Sequence, residues 1–207
     1  MPGWTSAVSI NPLYLSLWCW AAGPLLELLV RLLLDSLGAN PQEEILRGLG
    51  RQTLVLLWLV LLVPVLQRTL WPGVLAARRM LGLWAIFYAG IHLLAYAQFE
   101  HDLVWPALAV DAFQRPFVTV GLLALLIMLP LALTSNRWSM LRLGKNWKML
   151  HRLVWPVVGL ALVHYVLHKA GKNDFLEPAL AALALMIIVM LRRVRPGSNR
   201  RGARGPV

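Results

Sequence analysis

Four histidines stand where an apolar chain has little use for them. His151, His164 and His168 lie within Trp147–Lys169, WKMLHRLVWPVVGLALVHYVLHK, and His92 lies within GLWAIFYAGIHLLAYA. Neutral imidazole is a good ligand for iron, and a histidine in a lipid-soluble helix normally faces the bundle interior or a cofactor. One imidazole above and one below an iron porphyrin hold a b-type heme without covalent attachment. With both axial positions filled, such a heme carries electrons and binds no substrate at iron. The absence of C-x-x-C-H excludes c-type attachment, and a single cysteine, Cys19, forbids an internal disulfide or a cysteine-based cluster. Cys19 lies inside the first apolar stretch and reads as packing.

The elements that must position these imidazoles are membrane-spanning helices. Of the 207 residues, 59% are hydrophobic, and several apolar runs approach the ~20 residues that cross a ~30 Å hydrocarbon core. A helix satisfies its own backbone in lipid, so the expected fold is an all-α integral membrane bundle. Six spans are expected: Leu13–Leu34, Gln52–Leu70, Met80–Phe99, Phe117–Leu133, Trp147–Lys169 and Phe175–Leu191. Residues 1–12 form an N-terminus without a cleavable signal, 13–191 the transmembrane domain, and 192–207 an Arg- and Gly-rich tail expected to be disordered.

The net charge of +11 points to a membrane surface rather than nucleic acid, because of where the basic residues lie. Six spans place both termini on one side. That side carries Arg68, Arg78, Arg79, Arg137, Arg142, Lys145, Lys148 and the tail arginines, and no acid. The opposite connections carry Asp35, Glu43, Glu44, Glu100, Asp102, Asp111, Asp174 and Glu177 against a few basic residues. The positive-inside rule makes the termini cytoplasmic, which in a bacterium means the inner membrane with the acidic loops in the periplasm. Trp71, Trp105, Trp138 and Trp147 fall near the interfaces.

Orientation turns the histidines into depths. His92 and His164 both lie in the outer halves of outward-running helices, so they can meet at one level. His151 lies about 20 Å deeper at ~1.5 Å per residue, and on an ideal helix about 140° away from the face of His164 unless Pro156 and Gly159 alter the winding. His168 shares the face of His164 one turn on, though its place beside Lys169 suits solvent; His101, between Glu100 and Asp102, reads as solvated. Gly82, Ala85, Ala89 and Gly90 give the third helix a small-residue surface, for close packing or for a flat ligand beside His92. A charged acid mid-span costs ~3 kcal/mol, and Glu27 either pairs structurally with Arg31 one turn later or serves as a proton or quinone contact. Three functions accommodate these residues: an electron conduit, a metal-ion or proton transporter using the histidines, and a non-redox anchor with structural histidines.

The motifs add a resemblance. GANPQEEILRGLGR after the first span, RRMLGLW and IHLLAYA in the third, RPFVTVG and LALTS bounding the fourth, LGKNWKMLHRLVW and HYVL in the fifth together resemble the MsrQ/YedZ family. These are heme-binding membrane subunits of periplasmic methionine sulfoxide reductase systems, within the ferric-reductase-like transmembrane superfamily. The resemblance runs nearly end to end. It implies heme b, one or two, ligated by His92, His151 and His164. It implies electrons drawn from the quinone pool or a cytosolic flavin reductase and passed to a periplasmic molybdenum-cofactor subunit that reduces methionine sulfoxide in oxidised proteins. Bound FMN is associated with the family, with no residues assigned to it here. Oxidase relatives place a second histidine on the third helix; this chain has Arg78 and Arg79 there, so a heme at His151 needs another ligand or has only one, and the arginines suit propionates.

Overall fold

The computed structural model describes residues 12–69, 75–171 and 173–193. The expected cytoplasmic N-terminus, the interfacial Trp71 and the disordered tail fall wholly or largely outside the described residues. Among the described residues every regular element is helical: α1 (Pro12–Leu33), α2 (Pro41–Thr69), α3 (Leu75–His101), α4 (Trp105–Gln114), α5 (Pro116–Leu133), α6 (Arg137–Leu143), α7 (Lys145–Leu150), a 3-10 turn (His151–Leu153), α8 (Val154–Ala170) and α9 (Leu176–Arg193). Among the described residues five stretches are long and apolar enough to cross a membrane: Tyr14–Leu33, Pro41–Gln67, Ala77–His101, Pro116–Leu133 and Lys145–Ala170. α9 has 18 residues and carries Glu177 in its first turn and Arg192 and Arg193 in its last.

Two boundaries differ from expectation for physical reasons. α2 starts at Pro41, well before Gln52. The side chain of Asn40 accepts from the Glu43 backbone amide at 3.3 Å, Pro41 supplies the pre-set φ of a first helical residue, and Glu43 and Glu44 favour the positive helix end. Arg47 then pairs with Glu43 at 2.6 Å, one turn apart. The fifth expected span is not one continuous helix. It is α7, the 3-10 turn and α8 in succession. The ring of Pro156 conflicts with the carbonyl four residues earlier, at Arg152, and the chain tightens into the 3-10 turn at that place.

α2 is the most buried helix. Leu49, Leu56, Leu57 and Leu61 pack with Leu81, Ala85 and Tyr88 of α3 and with Val157 and Val158 of α8. Between helices in lipid such contacts act through close van der Waals fit. A Cβ built on Gly82 would meet Val60 at 3.9 Å, so this part of the small-residue surface seats α3 on α2. α2 lies along α3, α5 lies along α8, and the two pairs meet through α3 with α5 and α2 with α8.

α1 sits outside this core, with Leu15, Trp18, Leu26, Leu29 and Leu33 exposed. Cys19 is exposed there too, contrary to its reading as a packed residue. What ties α1 down is Tyr88, fully buried on α3. Its hydroxyl donates to the Ala21 carbonyl at 2.7 Å and accepts from the Leu25 amide at 3.1 Å. It thus bridges one rung of the α1 ladder beside Pro24.

Candidate functional site

The two helix pairs each contribute one imidazole to the same place. His92 of α3 and His164 of α8 have ring centres 6.2 Å apart and planes at 89°. Both rings are half-buried. His92 Nδ1 lies 3.1 Å from the Leu46 carbonyl of α2, and His164 Nδ1 lies 2.7 Å from the Phe117 carbonyl of α5. A carbonyl only accepts, so in each neutral ring Nδ1 carries the proton and donates. Nε2 is left with its lone pair, the state a metal-binding histidine needs.

The spacing suits one metal between them. A metal–imidazole bond is ~2.0 Å and the ring centre lies ~1.1 Å behind its nitrogen, so two imidazoles on opposite sides of one ion have centres about 6.2 Å apart. Among the described residues no group of three or more His, Cys, Asp or Glu side chains is placed to hold a metal ion. The two imidazoles would be able to hold an iron porphyrin, which would supply one-electron redox chemistry.

The structure does not bring His151 to this pair. It stands on the 3-10 turn with its ring centre 4.0 Å from that of Trp147, and its Nε2 is buried without a hydrogen-bond partner. The turn also changes the helical phase: three residues at ~120° instead of ~100° recover roughly 60° of the ~140° offset from His164. Trp147 is itself pinned, its indole N–H donating to the Thr134 carbonyl at 2.9 Å.

Other expectations are revised. His168 packs against Phe117, ring centres 5.6 Å apart, and is half-buried rather than solvated. His101 is not solvated either: its side chain is 13% exposed and its Nε2 lies 3.2 Å from Asp111 Oδ2. Asp111 also accepts from the Tyr96 hydroxyl and pairs with Arg115 at 2.8 Å, joining the ends of α3, α4 and α5. Burial works to raise the pKa of Asp111, but the hydrogen bonds from Tyr96 and His101 and the charge of Arg115 outweigh it and hold the carboxyl below its ordinary range. Lys169 is buried and paired with Asp174 at 2.6 Å and Glu177 at 2.8 Å. Arg31 reaches Glu44 on α2 at 2.7 Å, whereas Glu27 stands at 4.0 Å and is largely exposed.

The residues that hold the two imidazoles, Leu46 and Phe117, fall within the motifs GANPQEEILRGLGR and RPFVTVG, but they act through backbone carbonyls that no side chain marks. Leu46 lies in the part of α2 read as a connection, although N-P-x-E there is a helix-start signal. Phe117 stands both at the start of the fourth expected span and in the RPFVTVG motif, and neither feature marks its carbonyl.

Fold and site together define a helical, multi-pass membrane protein with two imidazoles from separate helices converging in its interior. The profile described as ferric reductase like transmembrane component matches residues 49–163, which contain His92 and His151 and end one residue before His164. Three relatives carry the name protein-methionine-sulfoxide reductase heme-binding subunit MsrQ. That of Bordetella parapertussis is 42% identical over 170 residues, 82% of each chain. That of Ralstonia nicotianae is 38% identical over 194 residues, 93% of this chain and 89% of its own. That of Azospira oryzae is 45% identical over 162 residues, 77% of this chain and 69% of its own. No solved structure matches the chain significantly. The chain belongs to the ferric-reductase-like transmembrane family, in its MsrQ branch.

Proposed function

We propose that this chain is the heme-binding, electron-carrying membrane subunit of a protein-methionine-sulfoxide reductase, in which His92 and His164 would hold a b-type heme. The observation that carries the proposal is the pair itself, 6.2 Å apart, with each Nδ1 committed to a backbone carbonyl. The names and identities of the relatives support the same cofactor. When bound, the heme supplies one-electron redox chemistry. The protein supplies the rest. α2 and α5 fix the tautomer of the two ligands, and the apolar helices exclude water from the iron. With His92 and His164 both holding the heme, substrate chemistry would fall to a partner.

In this reading the chain spans the bacterial inner membrane six times, α9 included, with both termini cytoplasmic. Electrons from the quinone pool or a cytosolic flavin reductase enter on the inner side, near His151 and Arg78. They leave at the outer side toward a periplasmic molybdenum-cofactor catalytic subunit. A ~30 Å core separates the two surfaces, so a carrier inside it has physical sense.

The test is the absorption spectrum of the protein purified from cells with ample heme supply. The wild type should show a reducible low-spin b-type spectrum. His92→Ala and His164→Ala should each lose it, with folding checked by helical circular dichroism. A folded, colourless wild type, or both alanine variants retaining the full spectrum, would reject the assignment.

A further inference from the structure

Each imidazole of the pair is seated by the same two backbone features of a neighbouring helix. His92 meets the carbonyl of Leu46, and its ring lies over Gly50, four residues further along α2. His164 meets the carbonyl of Phe117, and its ring lies over Gly121, again four residues further along α5. In an α-helix the Cβ of a residue tilts back toward the N-terminus, over the turn that holds the carbonyl four residues earlier. That carbonyl already accepts from the amide of the residue four ahead and has one lone pair to spare. A glycine at the fourth position therefore opens the carbonyl to a donor from outside the helix.

The distances show how closely the rings use that opening. A Cβ on Gly50 would stand 3.3 Å from His92 Cε1 and 3.6 Å from its Nδ1. A Cβ on Gly121 would stand 3.0 Å from His164 Cε1, a tight contact, and 2.8 Å from its Nδ1, closer than Cβ atoms are found to approach. Gly82 is a contrast: its nearest neighbour is the aliphatic Val60 at 3.9 Å, the mark of helix packing alone.

We infer that Gly50 and Gly121 are positioning residues for the two iron ligands, each exposing a backbone carbonyl (Leu46, Phe117) that holds its histidine in the Nδ1–H tautomer. The inference rests on the heme reading above. An outer-sphere partner of this kind orients a ligand and raises its basicity, and its loss typically lowers affinity by roughly 10–100-fold. A more basic imidazole favours ferric iron, so weakening the Nδ1–H bond moves the midpoint potential upward.

The experiment compares Gly121→Ala, Gly50→Ala and Gly23→Ala in the full-length protein. Gly23 lies on α1 with nothing within 4 Å of a Cβ and serves as the control. Heme content, midpoint potential and the low-spin ferric electron paramagnetic resonance spectrum are read for each. Gly121→Ala should bind heme about tenfold or more weakly. Gly50→Ala, with the milder contact, should keep its heme but show an upward potential and altered ferric signals. Gly23→Ala should match the wild type. If Gly121→Ala does not fold, the Gly50→Ala potential and spectrum decide alone. Wild-type potential and ferric signals in Gly50→Ala, with wild-type heme content in any Gly121→Ala that folds, would overturn the cradles and leave the His92 and His164 ligands standing. Heme retained in both His92→Ala and His164→Ala would remove the ligand reading and the cradles with it.

Discussion

Asp111 is kept ionised by its neighbours, and its stability contribution follows from that. Its carboxyl is buried on α4, where Tyr96 and His101 donate to it and Arg115 pairs with it. Its folded pKa is depressed below the ordinary carboxylate value of ~3.9. A depressed pKa means the unfolded chain takes up the proton first as pH falls. The contribution is fully present above the unfolded value, and it is lost as pH drops from there through the folded value. Thermal unfolding in detergent should therefore be flat in this respect from pH 7 to about 5 and fall steeply below ~4. Asp111→Asn should lower stability at pH 7 by roughly 1–3 kcal/mol, the usual loss when a hydrogen bond to a charged group is removed, and should flatten the acid limb. Equal acid sensitivity in variant and wild type would show that other carboxyls govern it. The residues that a sequence exposes least are of this kind. Glu100, His101 and Asp102 read as a polar loop, and nothing local reveals that His101 folds back onto a carboxylate ten residues away.

At the scale of elements, the apolar runs made the long helices legible, because a segment in lipid must close its own backbone bonds. They did not mark the polar first turns of α2, whose Asn40 cap and Pro41 are punctuation rather than apolar pattern. They also did not mark the break before α8, which depends on one proline. The meeting of the two histidines was legible too: each lies in the second half of its long apolar run, and their ring centres stand 6.2 Å apart. The holding carbonyls were not, since a backbone oxygen has no letter in a sequence. The attachment of α1 is another contact of that sort. Tyr88→Phe removes the hydroxyl that bridges Ala21 and Leu25. The two backbone groups can then bond to each other along the helix, so the loss should be modest, about 1 kcal/mol, with heme content unchanged. A limited-proteolysis series should show faster cleavage near α1 in the variant. An unchanged melting temperature together with unchanged cleavage would mean that α1 is held by its apolar contacts alone.

For the whole molecule, the number of crossings decides on which side the chain ends, and α9 is the helix in question. Its 18 residues span ~27 Å at ~1.5 Å each, close to the ~30 Å core. Its charges stand only at its ends. Glu177 is met by Lys169 at 2.8 Å and by the Tyr165 hydroxyl at 2.6 Å, both from the C-terminal end of α8. Arg192, at the other end, donates to the Leu61 carbonyl at 3.2 Å and lies 4.8 Å from the centre of the Trp155 ring. Between those ends the helix is apolar, and the paired acid and the snorkelling arginine sit where a bilayer tolerates them. If α9 crosses, Arg193 and the arginines beyond it join Arg78, Arg79 and Lys148 on the inner side, in keeping with the positive-inside rule. If it does not, that basic tail lies outside, against the same rule. Alkaline phosphatase, active only outside the cytoplasm, distinguishes the two when fused after Leu103 and after Arg193. Six crossings predict activity at the first junction and none at the second, with a cytoplasmic reporter giving the reverse pattern. Phosphatase activity at both junctions would mean five crossings, and would place the chain's end on the same side as the outer end of the histidine pair.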